Sequence, residues 1–195
     1  MKIIALILAR KCSKGVPNKN IKLLVGKPLI GYVLEQAKQC NFFDSIVVSS
    51  DSDDILETVR LWIEGRNFNN INIIAIKRPP ELATDTAKSI DAVKHALSIV
   101  DADYVVLLNA CTPFNDVLSI SEMTKLGLEK RADSVVSLVE SFESHPSKLC
   151  KLDENNLVIP FGEFETGERQ KLDQIYRRNT CMYMATKATI MAGSF

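Results

Sequence analysis

The sequence predicts a three-layer α/β domain on a mostly parallel sheet, and three observations carry that expectation. Residues 2–9 form a nearly continuous apolar run, the pattern of a central parallel strand covered on both faces. Short apolar runs of this kind then alternate with amphipathic stretches of helical period as far as Glu140. The chain has 195 residues, which suits one generous domain able to bury roughly 70% of its unfolded surface without metal or disulfide staples.

The elements follow in order. After the first strand and a polar loop, Pro28 opens a helix with Leu29, Ile30, Val33, Leu34 and Ala37 on one face. Ser45–Ser49 is the second strand, and Asp51–Asp54 offers N-cap oxygens to a helix running through Ile55, Val59 and Trp62. Ile71–Ile76 is the third strand and Ser89–Val100 the next helix. Tyr104–Leu108 is the fourth strand, Ser119–Lys130 a helix, and Ser134–Val139 a fifth strand. Past Glu140 the pattern changes. Lys148–Leu152 and Leu157–Ile159 flank Asp153-Glu154-Asn155-Asn156, which reads as a hairpin turn. A charged stretch, Glu163 to Arg178, leads to a last strand-like run at Cys181–Ala185. Residues 140–180 lack the helix of a further βαβ unit and read as a protruding β-rich arm within a single domain.

Composition narrows the function. Lys plus Arg total 24 and Asp plus Glu total 24, so the basic excess of a general nucleic-acid binder is missing. No apolar run reaches the ~18 residues of a membrane helix, and Arg10-Lys11 interrupts the opening run where a signal peptide would need a cleavage site. The five cysteines are scattered and never form Cys-x-x-Cys, which argues against structural zinc and makes a reducing cytoplasm the default. His95 and His145 are too far apart in sequence for a His-x-x-x-His metal site, and His95 reads as a surface or boundary residue.

Ligands of open α/β sheets bind beyond the carboxyl ends of the strands, which directs attention to the loops after residues 9, 49, 77 and 109. The first is the richest: Leu8-Ala9-Arg10-Lys11-Cys12-Ser13-Lys14-Gly15-Val16-Pro17-Asn18-Lys19-Asn20 carries four cations, a Gly and a hydroxyl. Its backbone can form an anion nest and its cations can neutralise several phosphate charges. It is neither a Walker A loop nor a Gly-x-Gly-x-x-Gly turn. Composition alone leaves open whether it holds a triphosphate or is a solvated basic loop.

Ordered blocks go further than composition. The string L-A-R-x-x-S-K-G-x-x-x-K-N followed by G-K-P-L-I resembles the signature of the CMP-sialic acid synthetase (acylneuraminate cytidylyltransferase) family. The likeness continues through F-D-S-I-V-V-S-S-D-S-D-D-I, R-P-P-E-L-A-T-D-T-A-K-S, L-L-N-A-C-T-P-F, S-V-V-S-L-V-E-S-F-E-S-H-P-S-K and Q-I-Y-R-R-N-T-C-M-Y, covering essentially the whole chain.

The resemblance implies a Rossmann-like fold of the nucleotide-diphospho-sugar transferase type. It implies transfer of CMP from CTP to the anomeric hydroxyl of a sialic-acid-like sugar acid, with release of pyrophosphate, for surface glycans such as lipopolysaccharide or capsule. By position, Arg10, Ser13, Lys14, Lys19 and Asn20 match the residues that hold the CTP phosphates, with Arg10, Lys14 and Lys19 supplying the catalytic charge. Arg78, Ala87 and Ser89 match those that read the cytosine, with the backbone at Leu8 and Ala9. Asn109 stands where the family commonly has a sugar-binding Gln, and Phe114-Asn115 replaces the usual Leu-Arg, which puts the sugar's identity in question. Gln174, Tyr176, Arg177 and Asn179 match the later sugar-binding block, with Arg177 set to fork a carboxylate. Thr180 takes the place of a usual Gly. The resemblance also implies Mg2+ and a homodimer whose arms cross to the partner subunit. The family's Asp-x-Asp magnesium pair has no counterpart in a sequence that stops at Gly193-Ser194-Phe195 with no Asp after Asp173. The metal ligands are therefore unassigned, and the dense cluster at Asp51–Asp54 is read as a helix cap. The expectation is a shortened form of a longer enzyme or a catalytically impaired, nucleotide-binding remnant. Within the same chemistry the sugar acid alternatives are KDO, pseudaminic acid and legionaminic acid.

Overall fold

The computed structural model describes residues 1–11, 15–162 and 173–195, in two compact units: Met1–Val136 with Cys181–Phe195, and Ser137–Thr180. The chain enters through β1 (Ile3–Leu8) and a small hairpin of β2 (Leu23–Leu24) and β3 (Lys27–Pro28). It then runs through α1 (Leu29–Gln39), β4 (Ser45–Ser50), α2 (Asp53–Glu64), β5 (Asn72–Lys77) and α3 (Ser89–Ile99). Next come β6 (Tyr104–Asn109), α4 (Val117–Glu129), β7 (Ser134–Glu140), β8 (Cys150–Leu152) and β9 (Val158–Pro160). The chain closes with β10 (Tyr176–Thr186) and α5 (Lys187–Met191).

The main sheet has the order β5-β4-β1-β6-β10-β7, with β1 parallel to both β4 and β6, and β4 parallel to β5. From β1 the chain winds outward through β4 to β5 and then returns to β6 on the other side of β1. That reversal opens a crevice between β1 and β6 at their carboxyl ends, where Leu8 and Asn109 are register partners.

Alternation along β1 assigns the layers. Ile3, Ala5 and Ile7 pack into one core with Ile30, Val33 and Leu34 of α1, Ile55, Val59 and Trp62 of α2, and Ile120 and Met123 of α4. Ile4 and Leu6 face a second core with Val93, Ala96 and Leu97 of α3 and Ile190 of α5. Ile4, Leu6 and Ile7 are fully buried, each worth roughly 1.5–3 kcal/mol of apolar transfer. The helix–sheet–helix sandwich agrees with the expected three-layer fold. At α1, Gly31 is required by contact, because a Cβ there would stand 2.8 Å from the Trp62 ring.

Several local expectations need correction. The last strand extends well beyond Cys181–Ala185 and runs antiparallel to β6 through Met182–Thr186, so the sheet is mixed at that edge. The helix expected at Ser119 begins at Val117, because Asp116 is its N-cap and its carboxylate accepts the Ser119 N–H at 2.7 Å. The expected cap from Asp51–Asp54 does not form. Ser52 is the N-cap of α2 without a side-chain bond, and Asp51 is drawn instead to the Lys11 N–H at 2.8 Å. Asp53 and Asp54 still lie in the first turn, where their charge complements the helix dipole. The β2–β3 hairpin, unanticipated from sequence, turns at Val25 and Gly26, both in the left-handed region at φ 50° and 75°.

In the unit Ser137–Thr180, β8 and β9 pair antiparallel around Asp153–Leu157, whose Asp153 carboxylate accepts the N–H groups of Asn155 and Leu157. This is the hairpin expected from sequence. Much of the charged stretch expected over 163–178 lies outside the described residues. Leu152, Leu157, Val158 and Phe161 are each about 60% or more exposed, so the hairpin carries uncovered apolar side chains. Thr180 has φ 58°, the conformation a glycine would take at that position without strain.

Candidate active site

Each wall of the crevice is set by a strand end. Beyond β1, the Ala9 N–H donates to the Ser49 carbonyl at 3.0 Å, which sends Arg10 across the sheet end. Asn20, only 4% exposed, donates from Nδ2 to the Arg10 carbonyl at 3.0 Å and closes the basic loop back onto its start. Beyond β5, the Arg78 N–H donates to the Ser50 carbonyl at 2.8 Å, and the following Pro79-Pro80 keeps Arg78 extended. The chain then folds over Thr84, whose carbonyl and hydroxyl both accept the Ala87 N–H, before α3 begins at Ser89. Beyond β6, Asn109 Oδ1 accepts the Cys111 N–H at 3.1 Å, and the Cys111 thiol lies 4.0 Å from Asn20 Oδ1.

These walls enclose a cleft of about 510 Å³, enough for a nucleotide. Leu8, Arg10, Lys19, Asn20, Arg78, Ala87, Ser89 and Asn109 line it, so residues far apart in sequence meet at one place. Ala9 is fully buried with its N–H already spent on Ser49, and it does not line the cleft. Ser13 and Lys14 lie outside the described residues. Gln174, Tyr176, Arg177 and Asn179 belong to the unit Ser137–Thr180, where Asn179 accepts the Ser137 hydroxyl and Tyr176 and Arg177 are exposed.

The electrostatics are uneven. Arg78 is 4% exposed, its Nε has no hydrogen-bond partner, and Asp51 stands 3.8 Å away. Burial pulls its pKa below the ordinary arginine value, Asp51 pulls the other way, and the nearby charge of Arg10 adds to the lowering. Arg10 donates to Asp85 Oδ1 at 3.0 Å and lies 3.4 Å from the Thr84 carbonyl. Lys19 makes no ion pair among the described residues. Asp51, Asp85 and Cys111 took no part in the site read from the sequence. All three fall within blocks that are legible there, but only the folded contacts reveal what they face.

A cluster of cations at a crevice can hold a polyphosphate without a metal, but a phosphoryl-transfer site with resident Mg2+ needs carboxylates. Among the described residues no group of three or more His, Cys, Asp or Glu could hold a metal ion. Asp85 is the one acidic side chain among the described residues lining the cleft, and it is paired with Arg10. Among the described residues the donor set does not fit a protein-held divalent ion.

The crevice at the β1/β6 reversal, basic on the β1 side and with a buried arginine on the β5 side, lies where open α/β sheets bind their ligands. The chain belongs to the cytidylyltransferase family, whose sequence pattern matches residues 4–188.

Among its relatives, the N-acylneuraminate cytidylyltransferase of Escherichia coli O18:K1:H7 is 35% identical over 190 residues, 95% of this chain and 42% of that protein. The enzyme of the same name from Streptococcus agalactiae serotype V is 34% identical over 98% of this chain and 45% of its own length. The chain thus spans less than half the length of these relatives. The pseudaminic acid cytidylyltransferase of Campylobacter jejuni is 30% identical over 100% of this chain and 83% of that protein. Of solved structures, CMP:2-keto-3-deoxy-manno-octonic acid synthetase complexed with CTP superposes with a TM-score of 0.72 at 16% identity, over 98% of this chain and 76% of that one. The 4-diphosphocytidyl-2C-methyl-D-erythritol synthase of Anaerococcus prevotii gives 0.63 at 15% identity, over 100% and 78%. At such identities the superpositions speak for the fold. Among the described residues no helix is long and apolar enough to cross a membrane.

Proposed function

We propose that this chain binds CTP in the β1/β6 crevice and transfers CMP to the anomeric hydroxyl of a sialic-acid-like sugar acid. The observation that carries the reading is the convergence of Arg10, Lys19 and Arg78 on one cleft of nucleotide size. In the proposed reaction the sugar hydroxyl gives its proton to solvent and attacks the α-phosphorus, the new O–P bond forms, and the bond to pyrophosphate breaks. Arg10 and Lys19 neutralise the charge that grows on the departing pyrophosphate. Lys14 is assigned the same role and Ser13 and Asn20 the positioning of the phosphates, on the family resemblance. Arg78, whose buried Nε has no partner among the described residues, is suited to a pyrimidine carbonyl, while Ala87 and Ser89 border the base. The backbone around Leu8 and Ala9 remains assigned to the base. The spent Ala9 N–H removes that residue as a donor.

Two sugar readings follow from specific features. Sialic acid is favoured by identity to the N-acylneuraminate enzymes, and pseudaminic acid by the match to 83% of the length of a pseudaminic acid cytidylyltransferase. Asn109 is the residue assigned to the sugar in the core unit, and Gln174, Tyr176, Arg177 and Asn179 in the other. The unit Ser137–Thr180 is proposed as a dimerisation arm, supported by the exposed apolar side chains of its hairpin, because a lone hairpin is marginal in water. A cytoplasmic setting is part of the proposal and is supported by free thiols at Cys40, Cys111 and Cys150.

Pyrophosphate release measured with CTP and a panel of sialic, pseudaminic, legionaminic and KDO acids tests the reaction and names the sugar. CTP binding without turnover on any of them would leave a nucleotide-binding remnant in its place. Sedimentation at micromolar concentration tests the arm. A dimer that dissociates on Phe161→Ser together with Phe164→Ser supports it (Phe164 lies outside the described residues), and a folded wild-type monomer refutes it.

A further inference from the structure

Both arginines of the cleft already face a carboxylate of this chain, and the two pairs differ in kind. Arg78 and Asp51 are enclosed, with side chains 5% and 17% exposed, and Asp51 is also held by the Lys11 N–H. Arg10 and Asp85 are open, at 36% and 51%, and Asp85 comes from the loop that folds over Thr84 above α3. The first pair is fixed in the wall. The second can part.

An arginine that already donates to a carboxylate must give it up before it can serve a phosphate. We propose that Asp85 is an internal competitor for Arg10, which it holds in the free protein, yields to an incoming polyphosphate, and reclaims as pyrophosphate departs. This rests on the reaction proposed above, in which Arg10 neutralises that leaving group. An exposed ion pair is worth at most about fivefold in an equilibrium. Such a weak pair is displaced by a triphosphate bound at several points, yet it still shortens the stay of a product held at fewer. Without it, a cleft built to stabilise growing charge on pyrophosphate would hold the product it has just released. Asp85 is therefore a positioning residue acting through Arg10, with no contact to the reacting phosphorus required.

The test is calorimetric titration of inorganic pyrophosphate and tripolyphosphate, in metal-free buffer, into wild-type protein, Asp85→Asn, Arg10→Ala and the double variant. Asp85→Asn should tighten both anions about two- to fivefold, whereas Asp85→Glu, which keeps the competitor, should stay close to wild type. In the Arg10→Ala background the same Asp85→Asn change should tighten the anions less than in wild type, by the part that competition for Arg10 contributes. Equal tightening in both backgrounds would mean that Asp85 acts only through the general field, and that overturns the proposal. So would unchanged or weaker binding in Asp85→Asn, or no binding of either anion to any variant. If the anions behave as expected but CTP produces no heat, the nucleotide reading fails while the Arg10–Asp85 competition stands.

Discussion

Replacing Arg78 by Met separates recognition from stability. Arg78 is 4% exposed, its Nε has no partner among the described residues, and burial outweighs Asp51 in setting the direction of its pKa shift. The folded wall therefore disfavours the charge on balance, and removing it relieves a buried unsatisfied donor worth about 1–3 kcal/mol. Against this, Asp51 loses a partner 3.8 Å away. Stranding a buried carboxylate can cost about 3–5 kcal/mol, but Asp51 keeps the Lys11 N–H at 2.8 Å and is partly solvated, so most of that cost does not arise. The two effects nearly cancel. Arg78→Met should unfold in urea within about 1 kcal/mol of wild type. Loss of a charge-assisted bond to the base should weaken CTP by about 1.5–3 kcal/mol, roughly ten- to 150-fold. Tripolyphosphate, which has no base, should bind within about threefold of its wild-type affinity. A stability loss above about 2 kcal/mol, or unchanged CTP affinity, would refute the reasoning.

Lys19→Ala should cost more CTP affinity than Arg10→Ala, because Lys19 has no ion pair to break among the described residues while Arg10 must leave Asp85; calorimetry giving the reverse order would contradict this. Thr180→Gly should raise the urea-unfolding free energy by about 0.5–1 kcal/mol, since a β-branched residue at φ 58° is strained and a glycine is not; a destabilised variant would show that the Thr side chain more than offsets that strain. Hydrogen bonds from Ser119 hold the Asp116 carboxyl below its ordinary value of 3.8. Its contribution is therefore complete above that value and is lost as pH falls through the lower folded one. The melting-temperature gap between wild type and Asp116→Asn should accordingly shrink on acidification below about pH 4, and a constant gap would rule the linkage out.

The core strands were legible because a strand buried on both faces reads as an apolar run, unbroken at Ile3–Leu8 and confined to Ile46, Val47 and Val48 between buried serines in β4. The first half of β10 was not. Tyr176–Thr180 is mostly exposed and polar, so only its buried second half carried a strand signal, and pattern alone cannot tell an antiparallel insertion from another parallel strand. Phosphate-side candidates such as Arg10 and Lys19 stood out because they directly follow a buried strand. Asp51 was misread because its position before a helix fits a cap. A backbone N–H and an arginine, 40 and 27 residues away in sequence respectively, compete for the same carboxylate in the fold. Asp85 is an ordinary loop acid until Arg10 is seen beside it.

The thiol of Cys111 has a practical consequence. It lines the cleft beside Asn20, whereas Cys150 is exposed on the hairpin strand β8 of the other unit and Cys40 is buried. Any occupant reaching the floor of the crevice shields one sulfur and leaves the other open to a small alkylating reagent. The ratio of labelling at Cys111 to labelling at Cys150, read by peptide mass, becomes an internal occupancy gauge. It works equally for CTP, pyrophosphate or a sugar nucleotide, and needs no turnover.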